Sequence, residues 1–118
     1  MSNRLEKLNS EFRKYISELL TKKVKHPDLT EMFTILEVVC DKELATAKVY
    51  VSIFSTNEMR AAKTFVAIQD SEPFIRQQIS KQMHIRTVPQ FKFVLDTSME
   101  YSQRINQILY EILPKDND

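Results

Sequence analysis

The 118-residue chain contains no glycine, where ordinary usage of ~7% would supply about eight. Phosphate loops, dinucleotide-binding turns and the GXXG clamp of ordinary KH domains all need backbone without a Cβ beside a phosphate. None of them can be built here, which excludes nucleotide-dependent enzymes of those classes. Cysteine is nearly absent as well: Cys40 stands alone, so no internal disulfide is expected and the composition suits a reducing cytosol. No apolar run approaches the ~18 residues that span a bilayer. The N-terminus is polar and charged, without the pattern of a secretory signal. These absences predict a soluble cytoplasmic protein that does not enter a membrane.

Acidic residues are missing from one segment only. Residues 73–92 hold Arg76, Lys81, Arg86 and Lys92 and no Asp or Glu. Residues 1–27 carry seven Lys/Arg against three acids, residues 28–72 four against eight, and residues 93–118 two against five. The net charge of +1 conceals this segregation, which creates local fields. Two basic segments form one polyanion-binding face if the fold joins them.

Apolar spacing predicts the elements. Leu5, Leu8, Phe12, Ile16, Leu19 and Leu20 recur at helical spacing over residues 3–25, with Asn3 as N-cap and His26-Pro27-Asp28 as the stop. Phe33 to Cys40 and Ala45 to Phe54 read as two strands of a hairpin joined by the polar turn Asp41-Lys42-Glu43-Leu44. Ser55 with Glu58 matches a capping box for a helix through about Gln69, burying Met59, Ala62, Phe65 and Val66. Asp70-Ser71-Glu72-Pro73 breaks that helix and opens another to about His84, burying Phe74, Ile75, Ile79 and Met83; Pro73 is tolerated in its first turn. Phe91 to Leu95 is a third strand. Thr97 with Glu100 caps a final helix lined by Tyr101, Ile105, Ile108 and Ile112 and ending at Pro114. The order α-β-β-α-kink-α-β-α predicts a two-layer α+β fold, a three-stranded sheet with helices packed on one face, as a single domain over residues 1–118.

At 100° per residue, Arg4, Lys7, Lys14, Lys22 and Lys25 fall within roughly one quarter of the first helix, which suits a phosphate backbone. Glu11 and Glu18 share the stripe, so a ladder of i,i+3 and i,i+4 pairs on a solvated face explains it equally. Arg76, Lys81, Arg86 and Lys92 have no such internal neutralisation. Lys48 lies on the exposed register of the second strand and joins them. Tyr50 on that face is either a base-stacking ring or a tyrosine covered by a helix. His26 reads as a turn residue, and neither it nor His84 has metal-ligand spacing around it. Cys40 reads as a small buried hydrophobe with no base to activate it, and Asp41 and Glu43 as solubilising turn charges. No catalytic or metal residue is assigned.

Seven stretches stand out in order along the chain: Leu19-Leu20, Lys25-His26-Pro27-Asp28-Leu29, Thr34-Ile35, Ala47-Lys48-Val49-Tyr50-Val51-Ser52, Phe74-Ile75-Arg76, Val88-Pro89, and Phe91 through Glu100. Together they resemble the ribosome-binding factor A family, bacterial maturation factors of the small ribosomal subunit. Their order and spacing carry the resemblance across essentially the whole chain. It implies a type II KH-like fold with a helix–kink–helix in place of the GXXG turn. It also implies a monomeric, cytoplasmic, non-catalytic factor that binds immature small subunits and their rRNA late in maturation, with no cofactor and no small-molecule substrate. RNA contact is then expected at Arg4, Lys7, Lys14, Lys22, Lys25, Lys48, Arg76, Lys81, Arg86 and Lys92. Where the family usually has Ala-x-Gly at the kink, this chain has Ser71-Glu72-Pro73. Ser71 is expected to cap the second helix, Pro73 to fix the bend, and the Glu72 charge to oppose close phosphate approach. The alternative function is a protein-interaction module acting through the acidic segments. A salt titration of RNA binding separates the two.

Overall fold

The computed structural model describes residues 3–97 and 100–113. Strand β2 (Thr46–Phe54) lies at the centre of a three-stranded sheet, antiparallel to β1 (Met32–Cys40) and parallel to β3 (Gln90–Leu95). Its alternation decides the inner face: Ala47, Val49, Val51 and Ile53 are sealed from solvent. Strand β1 matches that face by means of a bulge. Ile35 pairs with Val51 and Glu37 with Tyr50, leaving Leu36 as an extra residue. Ile35 and Val38, which strict alternation would place on opposite faces, both reach the core. The expected hairpin is therefore present with one irregularity that period-two reading does not reveal. In its turn, Leu44 takes a left-handed backbone with φ 58°, a conformation usually left to glycine. The Ala45 N–H donates to Asp41 Oδ1 at 2.8 Å and holds the turn closed.

The parallel pairing of β2 with β3 needs a long crossover, which α2 (Glu58–Asp70) and α3 (Glu72–Gln82) supply. Helices α1 (Asn3–Lys22) and α4 (Glu100–Ile112) complete the layer. Phe12, Ile16, Leu19 and Leu20 of α1 bury against the sheet with Ala62, Phe65 and Ile68 of α2, Ile75 and Ile79 of α3 and Ile105 and Leu109 of α4. The Phe12 and Phe91 rings meet edge-to-face at 5.3 Å and tie α1 to β3, a geometry worth about 0.5–1.5 kcal/mol beyond area burial. Met59 and Phe74, expected in the core, stand exposed. Ala62 and Phe65 of α2 and Ile75, Ile79 and Met83 are buried as expected, and Ala61, Thr64 and Ile68 widen the buried face of α2 on the side away from Met59.

Three local expectations are corrected. Helix α1 ends at Lys22 rather than near Lys25, closed by the Lys23 and Val24 N–H groups donating to Leu19 O. The N-cap of α2 is Asn57, whose Oδ1 accepts from Arg60 N–H at 2.9 Å. Ser55 turns its hydroxyl to the Glu31 carboxylate instead. Ser71 does not cap α3: its hydroxyl donates back to Ala67 O at 2.8 Å. The interruption between α2 and α3 is this one residue, in right-handed helical conformation, and α3 begins at Glu72 with Pro73 in its first turn. The pairing of Thr97 with Glu100, the Tyr101 side chain and Pro114 lie outside the described residues.

Candidate nucleic-acid interface

The first half of α1, the β1–β2 turn and the loop from α3 to β3 enclose an open groove of about 1180 Å³. Local structure aims each charge into it. Arg4 and Lys7, one turn apart, lie on the solvent side of α1, while Leu5 and Leu8 pack inward. Asn9 Oδ1 accepts from Cys40 N–H at 3.0 Å and fixes this half of α1 against the end of the hairpin. That contact brings Lys42 of the turn alongside. After α3, Met83 is extended and buried and Ile85 half-buried. The alternation leaves His84 and Arg86 facing out, and both line the groove.

The groove thus unites Arg4 and Lys7 of the first basic segment with Arg86 of the second, and adds Lys42 and His84. Glu6 and Glu11 are its acids. Among the described residues, Arg4, Lys7, Lys42 and Arg86 have no ion-pair partner within 4 Å. Only the last rung of the expected α1 ladder is present among the described residues, Glu18 to Lys22 at 3.8 Å. Sequence patterning does not single out Lys42 and His84, because a turn and a loop have no periodicity to place them; the acid-free run 73–92 is the signal that covers His84.

The other predicted residues lie elsewhere. Lys14 and Lys22 continue along the exposed side of α1. Lys25 is exposed in the loop beyond the helix end, so it does not belong to the α1 stripe. Lys81 is exposed near the end of α3. Lys48 and Lys92 face each other across the parallel ladder, on the side of the sheet away from the helices. Tyr50 shares that side and is half-buried.

The kink residues point inward. Glu72 is 8% exposed; its Oε2 accepts from the Phe91 N–H at 2.9 Å, and Arg76 Nε lies 3.2 Å from the same oxygen. The expectation that Glu72 presents its charge to an approaching phosphate is thereby corrected, because β3 and Arg76 take up the carboxylate. Arg76 is correspondingly committed to Glu72.

Two other polar clusters hold the frame. The buried Thr64 hydroxyl donates to Asp28 O at 3.0 Å and accepts from the Thr30 and Glu31 N–H groups, fastening the segment before β1 to α2. Hydrogen bonds from the Ser55 and Thr30 hydroxyls, with Arg60 beside it, hold the Glu31 carboxyl below the usual carboxylate range. His26 is a turn residue, its Nδ1 accepting from Asp28 N–H at 3.1 Å. Burial, with Asp41 adjacent, pushes the Cys40 thiol up to about 11, the opposite of an activated nucleophile. Among the described residues no group of three or more His, Cys, Asp or Glu side chains is placed to hold a metal ion. No described helix is long and apolar enough to cross a membrane.

This architecture has relatives. A family model described as Ribosome-binding factor A matches residues 4–109. A ribosome-binding factor A of Caldicellulosiruptor bescii is 36% identical over 117 residues, 98% of this chain and 89% of the relative. The crystal structure of ribosome-binding factor A from Thermus thermophilus superposes with a TM-score of 0.67 at 18% identity, covering 80% of this chain and 98% of that one. A second Thermus thermophilus likeness, a homology model fitted into a cryo-EM map of a complex with the 30S subunit, gives 0.60 at 19% identity over 75% of this chain and 90% of that one. The shared fold is KH-like. The match over most of the length, in sequence and in fold, places the chain in the ribosome-binding factor A family.

Proposed function

We propose that this chain is a non-catalytic assembly factor, a single KH-like domain that binds immature small ribosomal subunits and their rRNA late in maturation. It acts as a cytoplasmic monomer without cofactor or small-molecule substrate. The observation that carries the reading is the groove where Arg4, Lys7, Lys42 and Arg86 converge without internal ion pairs among the described residues. Four unneutralised cations from three separate segments suit a phosphate backbone, and releasing its counterions makes affinity depend on salt. The names of the relatives, and the fitting of one structural neighbour into a complex with the 30S subunit, support the same partner. Lys14 and Lys81 extend the positive field, whereas Lys22, paired with Glu18, and Arg76, held by Glu72, contribute less.

Co-sedimentation with free small subunits over a salt series tests the proposal. The protein is expected to travel with immature subunits at low salt and to detach as salt rises. Arg4→Ala with Arg86→Ala should lower the slope of log affinity against log salt by about two. Failure to associate at low salt would overturn the reading.

A further inference from the structure

We infer that the open face of the sheet is a second RNA surface, which takes a short single-stranded segment with phosphate over Lys48 and Lys92 and a base on the Tyr50 ring. The inference rests on the reading of the chain as an RNA-contacting factor and adds a site distinct from the groove. The helices cover one face of the sheet; on the other, Lys48 stands opposite Lys92 and Tyr50 opposite Val94. Both lysines are exposed, and among the described residues neither has an ion-pair partner within 4 Å. Like charges directly opposite on neighbouring strands, which lie about 4.8 Å apart, repel and destabilise the pair. The fold retains that repulsion across the β2–β3 ladder, where a bound anion would relieve it.

Tyr50 follows Lys48 on the same face of β2, half-buried yet not packed into the core. An aromatic ring next to two free cations is the combination that binds single strands, because phosphate meets charge while an unstacked base meets the ring. A duplex keeps its bases stacked and cannot use the ring. Glu37, opposite Tyr50 on β1, is the acid in these rows and opposes an anion there. The face is open around Lys48, Lys92 and Val39 and closes toward Ser52, which is 7% exposed.

The test uses the full chain with a labelled oligouridylate of about eight nucleotides, within the span a small domain covers, beside an RNA duplex and polyglutamate. The single strand is expected to bind more tightly than either. Lys48→Ala with Lys92→Ala should weaken it about tenfold and lower the salt slope by about two. Tyr50→Phe should retain binding and Tyr50→Ser weaken it about tenfold, while Glu37→Gln should tighten it. Unchanged affinity in the double lysine variant, indifference to Tyr50→Ser, or preference for duplex or polyglutamate overturns the inference. Amide shifts of the unaltered protein provide a test that needs no variant: oligouridylate should perturb residues 47–51 and 91–95, and shifts confined to the groove would overturn it. Arg4→Ala with Arg86→Ala should impair small-subunit association and spare oligouridylate binding. Oligouridylate binding by a protein that ignores small subunits would sink the assembly-factor reading alone.

Discussion

The Glu72 carboxylate accepts a hydrogen bond from the backbone N–H of Phe91 at 2.9 Å, across nineteen residues of sequence. This one bond couples the start of α3 to the strand that closes the sheet. Arg76 lies against the same carboxylate, so the kink, α3 and β3 share a single polar junction.

Removing that junction should be expensive. Glu72→Ala leaves a buried N–H without its acceptor, which costs about 1–3 kcal/mol, and urea melts should show a lower midpoint at unchanged slope. Glu72→Gln keeps an acceptor and should lose less. Equal stability of the alanine variant and the unaltered protein would refute the role assigned to this bond.

Pro73 in the first turn of α3 stiffens the unfolded chain. Pro73→Gly should keep the fold and lower stability by up to about 1 kcal/mol, with faster amide exchange over residues 69–75 than in the unaltered protein. A variant as stable and as protected as the original would show that the proline does not hold the junction.

Glu31 predicts an acid-side dependence. Its carboxyl is lowered from 4.5 in the folded chain, so the ionised form favours folding. That contribution is complete above the unfolded value and disappears as pH falls through the folded one. Thermal melts from pH 6 downward should show the decline, and Glu31→Gln should flatten this part of the profile. The same acid branch in the glutamine variant would assign it to other carboxyls.

Leu44 occupies a left-handed backbone position, which costs a non-glycine residue about 1–2 kcal/mol. Its side chain packs partly against the core, offsetting some of that strain. Substitutions should therefore rank by backbone tolerance more than by size. Leu44→Gly and Leu44→Asn should melt above Leu44→Val, since a β-branched residue tolerates positive φ least. A valine variant equal to the glycine one would rule out backbone strain as the governing term.

Much of the frame is legible in the sequence because burial writes a period into it. The stripe from Phe12 to Leu20 and the alternation from Ala47 to Ile53 are enough to specify a helix and a half-buried strand. The kink is legible at Ser71-Glu72-Pro73, but the inward turn of Glu72 is not, because its partner Phe91 lies in another element. Ser55 and Asn57 are both good caps, and the competing bond from Ser55 to Glu31 decides between them. The bulge at Leu36 interrupts the period that locates strands. For the interface, charge segregation points to Arg4, Lys7 and Arg86, while Lys42 joins them only through the seating of α1 on the hairpin by Asn9.

The bulge also bears on how copies of this chain meet one another. β1 is an edge strand, and Met32, Leu36 and Val39 leave apolar surface along it, with Met32 73% exposed. A long flat edge of this kind is a template for a passing strand and hence for aggregation. The extra residue at Leu36 breaks the rhythm of free N–H and C=O groups midway, and Asn9 already occupies the N–H of Cys40 at the far end. An incoming strand therefore finds two short, twisted stretches instead of one continuous rail.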